Sequence, residues 1–315
     1  MNRKTIRNCS YLMLCILLGY SYFLSKKDAD IQKEVSIVDY QDYRQVVYMD
    51  EDHVLVPVSY VLEAFPTIQS EAFELFSLMK NPGELSEYLG SVIPENMQLE
   101  SVILNDRILQ LHLNHLNVQD ELRFLEAITY VFCQLEGIEG LELYLGDTKM
   151  TKFPEGTIMF ENQLNDQLGI NNFESTTTHL YQTKPVTVYY SKMIKNQELY
   201  VPVSKRVYSS YSLQEILETI VSEISVSSTL KKVSLMENVQ VLDGSYLEDG
   251  HLYVNMNEAV LFDETTINTD IYDLLLLSFS QIEDVSEVTI LVNGEIIETR
   301  DVISVSSLVY NTVKI

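Results

Sequence analysis

The sequence has little of what catalytic and metal sites are usually built from. Its 315 residues include no tryptophan, five histidines and three cysteines. It contains no Walker phosphate loop, no C-x-x-C pair and no G-x-S-x-G elbow. Cys133 is the only cysteine outside the N-terminal segment, so the main body cannot form a disulfide within itself and folds by burial alone. We therefore expect a protein that is not an enzyme, with no catalytic residue, no bound cofactor and no metal site.

Basic residues are also scarce, and they are unevenly placed. The chain has 21 basic and 46 acidic residues, a net charge of −25. Residues 1–27 hold five of the basic residues and no acid, which leaves 16 basic and 46 acidic residues, a net charge of −30, for the rest. Nucleic-acid binding depends on cations that meet phosphates, so this balance argues against a nucleic-acid partner. We expect the acidity to keep the protein soluble, and the alternatives are a basic partner or loosely bound cations.

The N-terminus has the pattern of a membrane-targeting segment. Residues 10–24 read SYLMLCILLGYSYFL and follow a basic segment, residues 1–9. The 15-residue run is slightly short for a bilayer core of ~30 Å, and flanking basic side chains could extend it. We predict an uncleaved transmembrane anchor with residues 1–9 in the cytoplasm and residues 25–315 outside it, beginning with a linker over 25–44. A cleaved signal peptide and a lipoprotein remain open alternatives.

The rest of the chain repeats itself. Four blocks recur in the same order at offsets of 142 to 147 residues, which is the signature of two copies of one structural unit. The paired blocks are Val56-Pro57-Val58-Ser59 with Val201-Pro202-Val203-Ser204, Glu95–Leu99 with Glu237–Val241, Leu109–Asn114 with Leu252–Asn257, and Phe132–Glu136 with Phe279–Glu283.

Both copies contain the same predicted elements. Ser212 and Glu215 form the S-x-x-E capping box of a helix in the second copy, and Pro82-Gly83 follows the end of the equivalent helix in the first copy.

The order of the elements predicts an α+β fold with two tandem small modules, each a β-α-β-β-α-β sheet with helices on one face. We place these modules at residues 45–165 and 186–315, with a linker over 166–185. The predicted segments are strands Val46–Tyr48 and Val186–Tyr190, hairpins Leu99–Leu104 with Ile108–Leu113 and Val239–Leu247 with Leu252–Met256, helices Asp120–Leu135 and Asp270–Ile282, and strands Leu141–Leu145 and Val288–Val292.

These features resemble the GerM family of sporulation and spore germination proteins, whose outer parts carry tandem GerMN modules. The Val-Pro-Val-Ser block, the helix that begins at Ser212, the strand Leu252–Asn255 and the closing segment Val288–Gly294 carry the resemblance. It covers residues 45–310. It implies a fold similar to ring-building motifs and a role in spore formation and germination, in the space between the mother cell and forespore membranes.

Several residue clusters are weighed as sites. We interpret His112-x-x-His115 as chance spacing on a strand, with a metal pair as the alternative. The Asp50-Glu51-Asp52 cluster is expected to be a solvated turn. Cys133 is expected to be a partly buried, unreactive thiol on a helix. Glu95, Glu136, Glu237 and Glu283 are matched acids of the two copies, and a hydrolase would need two carboxylates held across a cleft.

Twenty tyrosines are the most unusual part of the composition. Strand propensity accounts for most of them, and an interaction surface is the alternative. Six crowd the start of the second module, namely Tyr181, Tyr189, Tyr190, Tyr200, Tyr208 and Tyr211.

Together these observations predict a non-enzymatic envelope assembly protein. Its partners would be other envelope or sporulation proteins and copies of itself, which it contacts through exposed sheet edges or helix faces. The alternative is a module outside the cytoplasm that binds peptidoglycan or a small ligand, which would require a pocket lined by aromatic and polar groups.

Overall fold

The computed structural model describes residues 31–33, 35–37, 43–161, 163–173, 181–226, 238–263, 266–296, 303–304 and 308–313. The predicted membrane segment, residues 10–24, lies outside these ranges. No helix among the described residues is long and apolar enough to cross a membrane.

The first repeat contains two helices and several strands. Two short strands precede it, β1 (Ile31–Gln32) and β2 (Ser36–Ile37). The elements that follow are β3 (Tyr43–Met49), β4 (Leu55–Val61), α1 (Ile68–Lys80), β5 (Leu99–Asn105), β6 (Ile108–Leu113), α2 (Glu121–Cys133), β7 (Gly140–Leu145) and β8 (Thr148–Lys149).

The second repeat has the same order. Its elements are β9 (Thr183–Ile194), β10 (Gln197–Tyr208), α3 (Leu213–Val226), β11 (Tyr246–Glu248), β12 (His251–Met256), α4 (Thr269–Phe279), β13 (Glu287–Val292), β14 (Glu295–Ile296) and β15 (Ile303–Ser304). Two short strands follow, β16 (Leu308–Val309) and β17 (Thr312–Val313). The mixed α+β architecture with two tandem modules is therefore confirmed.

The sheets differ from the single sheet per module that the sequence predicted. In the first module β5, β6, β7 and β8 form one sheet, while the hairpin β3–β4 belongs to another sheet with β1 and β17. In the second module β11, β12, β13 and β14 form one sheet, and the hairpin β9–β10 stands apart as a two-stranded sheet. Strand β10 of one hairpin also contacts β4 of the other, so the two hairpins meet between the modules.

Local sequence signals explain most element boundaries. The Ser212 hydroxyl accepts from the Glu215 N–H, and the Ser212 N–H donates to the Glu215 carboxylate, which is the predicted capping box. Asp120 caps α2 in a similar way. One boundary was wrong: the strand predicted over Val239–Leu247 is shortened to β11, because a turn at Asp243-Gly244, with Gly244 at φ +94°, interrupts it.

Two cores lie between helices and strands. The strands alternate as predicted, with Leu109, Leu111 and Leu113 of β6 buried in the first module. Leu252, Val254 and Met256 of β12 are buried in the second. Helices α2 and α4 add buried apolar residues to these cores, including Phe132 and Phe279 at equivalent positions.

The C-terminal strands join the two modules. Strand β17 is antiparallel to β1 and meets β4 in parallel at Thr312 and Ser59. Strand β16 is antiparallel to β2. Residues 308–313, the last described residues of the second module, therefore complete a sheet of the first module.

We expect Phe279→Ala to lower the free energy of unfolding by about 3–5 kcal/mol, because the ring is fully buried and its removal leaves a cavity. The matched control is Phe262→Ala, whose ring is 67% exposed and whose loss should change stability by less than about 0.5 kcal/mol. Urea unfolding followed by circular dichroism measures both. Equal losses in the two variants would contradict this account of the core.

Candidate functional site at the module interface

Asn171 anchors the tail of the first module against both repeats. Its side-chain oxygen accepts from the Leu55 N–H at 2.7 Å. Its side-chain nitrogen donates to the Leu55 carbonyl at 2.7 Å and to the Pro202 carbonyl of the second module at 2.8 Å. Asn171 is fully buried and has a left-handed backbone, φ 53°. Each hydrogen bond therefore replaces solvent that the side chain cannot reach.

Asn311 makes the same contacts from the tail of the second module. Its side-chain oxygen accepts from the Tyr200 N–H at 3.0 Å. Its side-chain nitrogen donates to the Tyr200 carbonyl and to the Pro57 carbonyl of the first module, both at 2.8 Å. It is also fully buried and left-handed, φ 49°.

The serines that close the Val-Pro-Val-Ser blocks bind the opposite tails. The Ser204 hydroxyl accepts from the Ile170 N–H at 2.8 Å, and the Ser204 N–H donates to the Ile170 carbonyl at 2.7 Å. The Ser59 hydroxyl donates to the Tyr310 carbonyl at 2.7 Å, and the Ser59 N–H donates to the Asn311 carbonyl at 3.0 Å. Both serines are buried.

These contacts are reciprocal. Leu55 and Pro57 occupy the positions in the first repeat that Tyr200 and Pro202 occupy in the second, at the constant offset of 145 residues. Each tail asparagine is held by its own module and donates across to the proline carbonyl of the other. Such reciprocity is the property of an isologous, twofold interface. We call this set of contacts the asparagine interface.

The Pro57 and Pro202 carbonyls can accept hydrogen bonds from the tail asparagines because the prolines lie on strand edges with little backbone pairing. Strand β10 pairs only with β9 among the described strands, and β4 meets β17 at a single pair of residues. Proline has no N–H to donate to a neighbouring strand, so a side-chain amide that approaches its carbonyl is a suitable partner.

A buried ion pair supports the tail of the first module. The Glu126 carboxylate accepts from the backbone N–H groups of Asn171 and Asn172 at 3.1 and 3.0 Å, and it pairs with Arg123. Burial raises the pKa of the Glu126 carboxyl, whereas Arg123 and the two N–H groups act in the opposite direction. The Arg123 guanidinium also lies over the Phe173 ring, 4.5 Å from its centroid.

One ion pair crosses the interface at its edge. The Lys192 ammonium of β9 lies 2.5 Å from a carboxylate oxygen of Asp50 and 2.8 Å from one of Asp52, in the turn between β3 and β4. The other Asp50 oxygen accepts from the N–H groups of Asp52 and Val54. The prediction of a solvated turn is thus wrong for Asp50, which is 6% exposed because the turn and Lys192 enclose it.

A chain of tyrosine hydroxyls also crosses between the modules. The Tyr310 hydroxyl lies 3.1 Å from that of Tyr130 on α2 and 3.0 Å from that of Tyr189 on β9. The Tyr130 hydroxyl donates to the Gln45 side-chain oxygen at 2.6 Å. Burial raises the pKa values of Tyr189 and Tyr310, so these hydroxyls stay neutral hydrogen-bonding groups.

A cleft of about 1160 Å³ opens beside this tyrosine chain. The ends of α2 and α4 both line it, with Gln134 and Gln281 at equivalent positions of the two repeats. Tyr211 and the β11 residue Tyr246 add aromatic groups to its wall. The charged lining residues in the described part of the chain are Asp166, Lys184, Glu283 and Asp284. The cleft therefore has the mixture of aromatic and polar groups that the ligand-binding alternative required.

The edges of the two mixed sheets are left unpaired on one side. Strand β5 pairs only with β6, and β11 only with β12, within the described residues. The exposed side chains near these edges include Ile103 on β5 and Tyr246 on β11. The Tyr246 ring stacks on Tyr253 with centroids 4.6 Å apart, and Tyr253 stacks in turn on His251 at 4.1 Å. An unpaired edge offers N–H and C=O groups to another strand.

The histidines of the His112-x-x-His115 pattern contact nearby backbone and aromatic groups. His112 Nδ1 lies 2.8 Å from the Gly146 carbonyl, and its ring stacks on Tyr144 at 4.6 Å. His115 Nδ1 accepts from the Asn117 N–H. The described residues contain no group of three or more His, Cys, Asp or Glu side chains placed to hold a metal ion.

The structure places the remaining candidate residues in different environments. Cys133 lies on α2 in the cleft wall, and burial raises the pKa of its thiol to about 12, which disfavours the reactive thiolate. Of the crowded tyrosines, Tyr189 and Tyr200 are buried in the interface, whereas Tyr181 and Tyr208 are exposed. Glu95, Glu136 and Glu283 are exposed on the surface, and Glu237 lies outside the described residues.

Sequence reasoning missed the residues on which the interface depends. Asn171 lies in a stretch that was interpreted as a linker, and Asn311 follows the last recognised strand. A possible signal was available in the paired tails themselves, because Ile170-Asn171 and Tyr310-Asn311 are apolar-asparagine pairs 140 residues apart.

The structure defines a class of proteins in which two copies of one α+β module dock as a pseudo-dimer within a single chain. A solved structure of this class, the tandem GerMN domains of the sporulation protein GerM from Bacillus subtilis, superimposes with a TM-score of 0.71 over 89% of this chain and 100% of that one, at 20% identity. That likeness shows that the fold is shared.

Sequence comparison assigns the chain to a family. The Germane family model, described as sporulation and spore germination, matches residues 22–151 and 187–298. The chain therefore belongs to the Germane family of sporulation and spore germination proteins. It is also similar to the spore germination protein GerM of Bacillus subtilis strain 168, with 26% identity over 186 residues. That match spans 56% of this chain and half the length of the relative.

We expect Asn171→Ala and Asn311→Ala to destabilise the protein by similar amounts, about 2–4 kcal/mol each, because each leaves three buried backbone groups without partners. The control is Asn293→Ala, which alters another left-handed asparagine, φ 52°, on the exposed surface. Thermal unfolding would measure all three variants. A loss for Asn293→Ala as large as for the other two would assign the effect to backbone strain instead.

Proposed function

We propose that this protein is a non-enzymatic assembly protein of the cell envelope that acts in sporulation and spore germination. Membership of the Germane family supports the process. The mode of action is supported by one observation above the others: the docked module pair keeps two equivalent strand edges, β5 and β11, unpaired among the described strands. The protein acts through protein contacts at these edges.

The proposed location rests on the sequence. Residues 10–24 hold the chain in the cell membrane, as a single span or signal anchor, and residues 25–315 lie on the outer side, which is the intermembrane space of a sporulating cell. The three basic residues before the apolar run, against two directly after it, support this orientation. The net charge of −30 keeps the body away from an anionic lipid surface and favours basic partner segments.

Two edges on one rigid pair make the protein bivalent. A partner strand that adds to β5 or β11 gains backbone hydrogen bonds, and neighbouring side chains supply specificity. Glu100 on β5 and Glu248 on β11 are exposed acids that suit a basic strand. Since the modules are docked through buried contacts, the two edges keep a fixed spacing, and binding at both raises the effective affinity.

The edges are tested by placing a cation on each. Ile103→Lys on β5 and Glu248→Lys on β11 alter exposed side chains that do not line the cleft, so stability should change little. Lysine on an edge strand opposes strand addition. We expect each variant to capture less envelope protein than the wild type when cross-linked in sporulating cells, and the double variant to capture less than either. Phe262→Lys is the control on an exposed residue away from both edges.

The same strains test the process by imaging. A fluorescent fusion of the wild type is expected to concentrate at the engulfing septum, and a strain without the protein should have a spore defect. The edge variants should lose this enrichment while Phe262→Lys keeps it. Uniform membrane signal of the wild type together with normal spores would contradict a role in sporulation, and unchanged capture by the edge variants would contradict the mode of action.

The cleft favours a second candidate function, the binding of peptidoglycan or a small envelope molecule. Its volume suits a ligand of drug size or larger, and its lining combines aromatic rings with amides and hydroxyls. Such groups stack on sugar rings and bind their hydroxyls.

Sedimentation with purified cell-wall sacculi tests this candidate. We expect Tyr211→Ala and Gln281→Ala to lower the bound fraction severalfold if the cleft is the site, because both residues line it. Tyr181→Ala is the control, since Tyr181 is 87% exposed and does not line the cleft. Failure of the wild type to sediment, or equal sedimentation of all variants, would exclude the cleft as a wall-binding site.

A further inference from the structure

The asparagine interface is formed by two modules of one chain, but nothing in its chemistry requires them to belong to one chain. The contacts that cross it include the Asn171 bond to Pro202, the Asn311 bond to Pro57, the two serine contacts to the opposite tails and the Lys192 ion pair. Each group recognises a partner on the other repeat. The second module of another copy presents the same groups in the same geometry.

Exchange between chains would replace every contact with an identical one. An exchanged and an unexchanged pair then differ only in the strain of the connecting segment and in the local concentration of modules. The segment between Phe173 and Tyr181 has seven residues and can reach at most about 29 Å when extended. Confinement to a membrane would raise the concentration of other copies around each chain.

The C-terminal strands would move with the second module. They pair with β1 and β2, which lie between the predicted membrane segment and the first module, and with β4 of the first module. Lys33, between β1 and β2, also contacts the second module, where its ammonium lies 3.2 Å from Glu198 and 4.5 Å from the centroid of the Tyr200 ring. Exchange would therefore join strands β1 and β2 of one chain to the second module of another.

We propose that the asparagine interface is also a docking surface for a second copy of this chain, so that the second module of one copy docks on the first module of another. The proposal rests on the proposed function, because self-association by module exchange is one way in which an assembly protein assembles. It uses a different surface from the β5 and β11 edges, so either proposal can fail alone.

The Lys192 ion pair allows a test by charge exchange in the full chain. Lys192→Glu places a carboxylate beside Asp50 and Asp52 within one chain, and Asp52→Lys places an ammonium beside Lys192. Within an Asp52→Lys chain Lys192 still faces Asp50, but it also faces the new ammonium, and within a Lys192→Glu chain three carboxylates meet. When the two variants are co-produced, only an exchanged dimer of one variant with the other returns Lys192 to both aspartates and brings the new carboxylate at position 192 to the new ammonium at position 52. Differently tagged chains in detergent are separated by tandem affinity purification, and native mass spectrometry counts the mixed dimers.

We expect co-production to raise the fraction of mixed dimers by up to about fivefold over the homodimer fraction of either variant alone, the range for a partly exposed ion pair. A carbodiimide cross-link between positions 52 and 192 of different chains should form only in that mixture. Mixed dimers without this cross-link, or no enrichment at all, would overturn the proposal. Circular dichroism of each variant establishes that it is folded.

A matched control uses an ion pair that lies within one module. Lys149 and Glu142 pair at 2.6 Å between β8 and β7. Exchange of whole modules cannot restore this pair between chains. Co-production of Lys149→Glu and Glu142→Lys should therefore give no enrichment of mixed dimers, and an equal enrichment would mean that charge reversal itself causes association.

Discussion

The rest of the architecture depends on two buried asparagine side chains that bind strands β4 and β10. Each satisfies an N–H and a C=O of its own module and then donates to a proline carbonyl of the other. A buried polar group that lacks partners costs more than the bond itself contributes, so these amides require the two modules to be in one relative position. The tyrosine chain, the cleft and the C-terminal strands all have their geometry because that position is defined.

Local structure followed closely from local sequence. The capping box at Ser212, the end of α1 before Pro82-Gly83 and the alternating strands β6 and β12 were each predicted from a few neighbouring residues. Such features are decided by backbone hydrogen bonds and by one buried face, both of which leave a short-range pattern. The repeat extended these predictions from one copy to the other.

Long-range pairing could not be predicted from such short patterns. The Asn311 side chain binds Pro57, 254 positions earlier, and β1 pairs with β17 across nearly the whole chain. Strands of two residues carry no period, and an asparagine in a polar stretch is usually a turn residue. Asp50 shows the same limit, because its burial depends on Lys192, 142 residues away.

The position of residues 308–313 has a consequence for biosynthesis. These residues supply the last strand of the first module's sheet and, through Tyr310 and Asn311, part of the interior of the module pair. A chain whose synthesis has not reached these residues lacks this closure and two buried members of the second core, Leu308 and Tyr310, and its Val-Pro-Val-Ser edges remain uncovered. Completion of the sheet thus requires synthesis to reach residue 313, and shortened products would retain open strand edges that proteases can recognise.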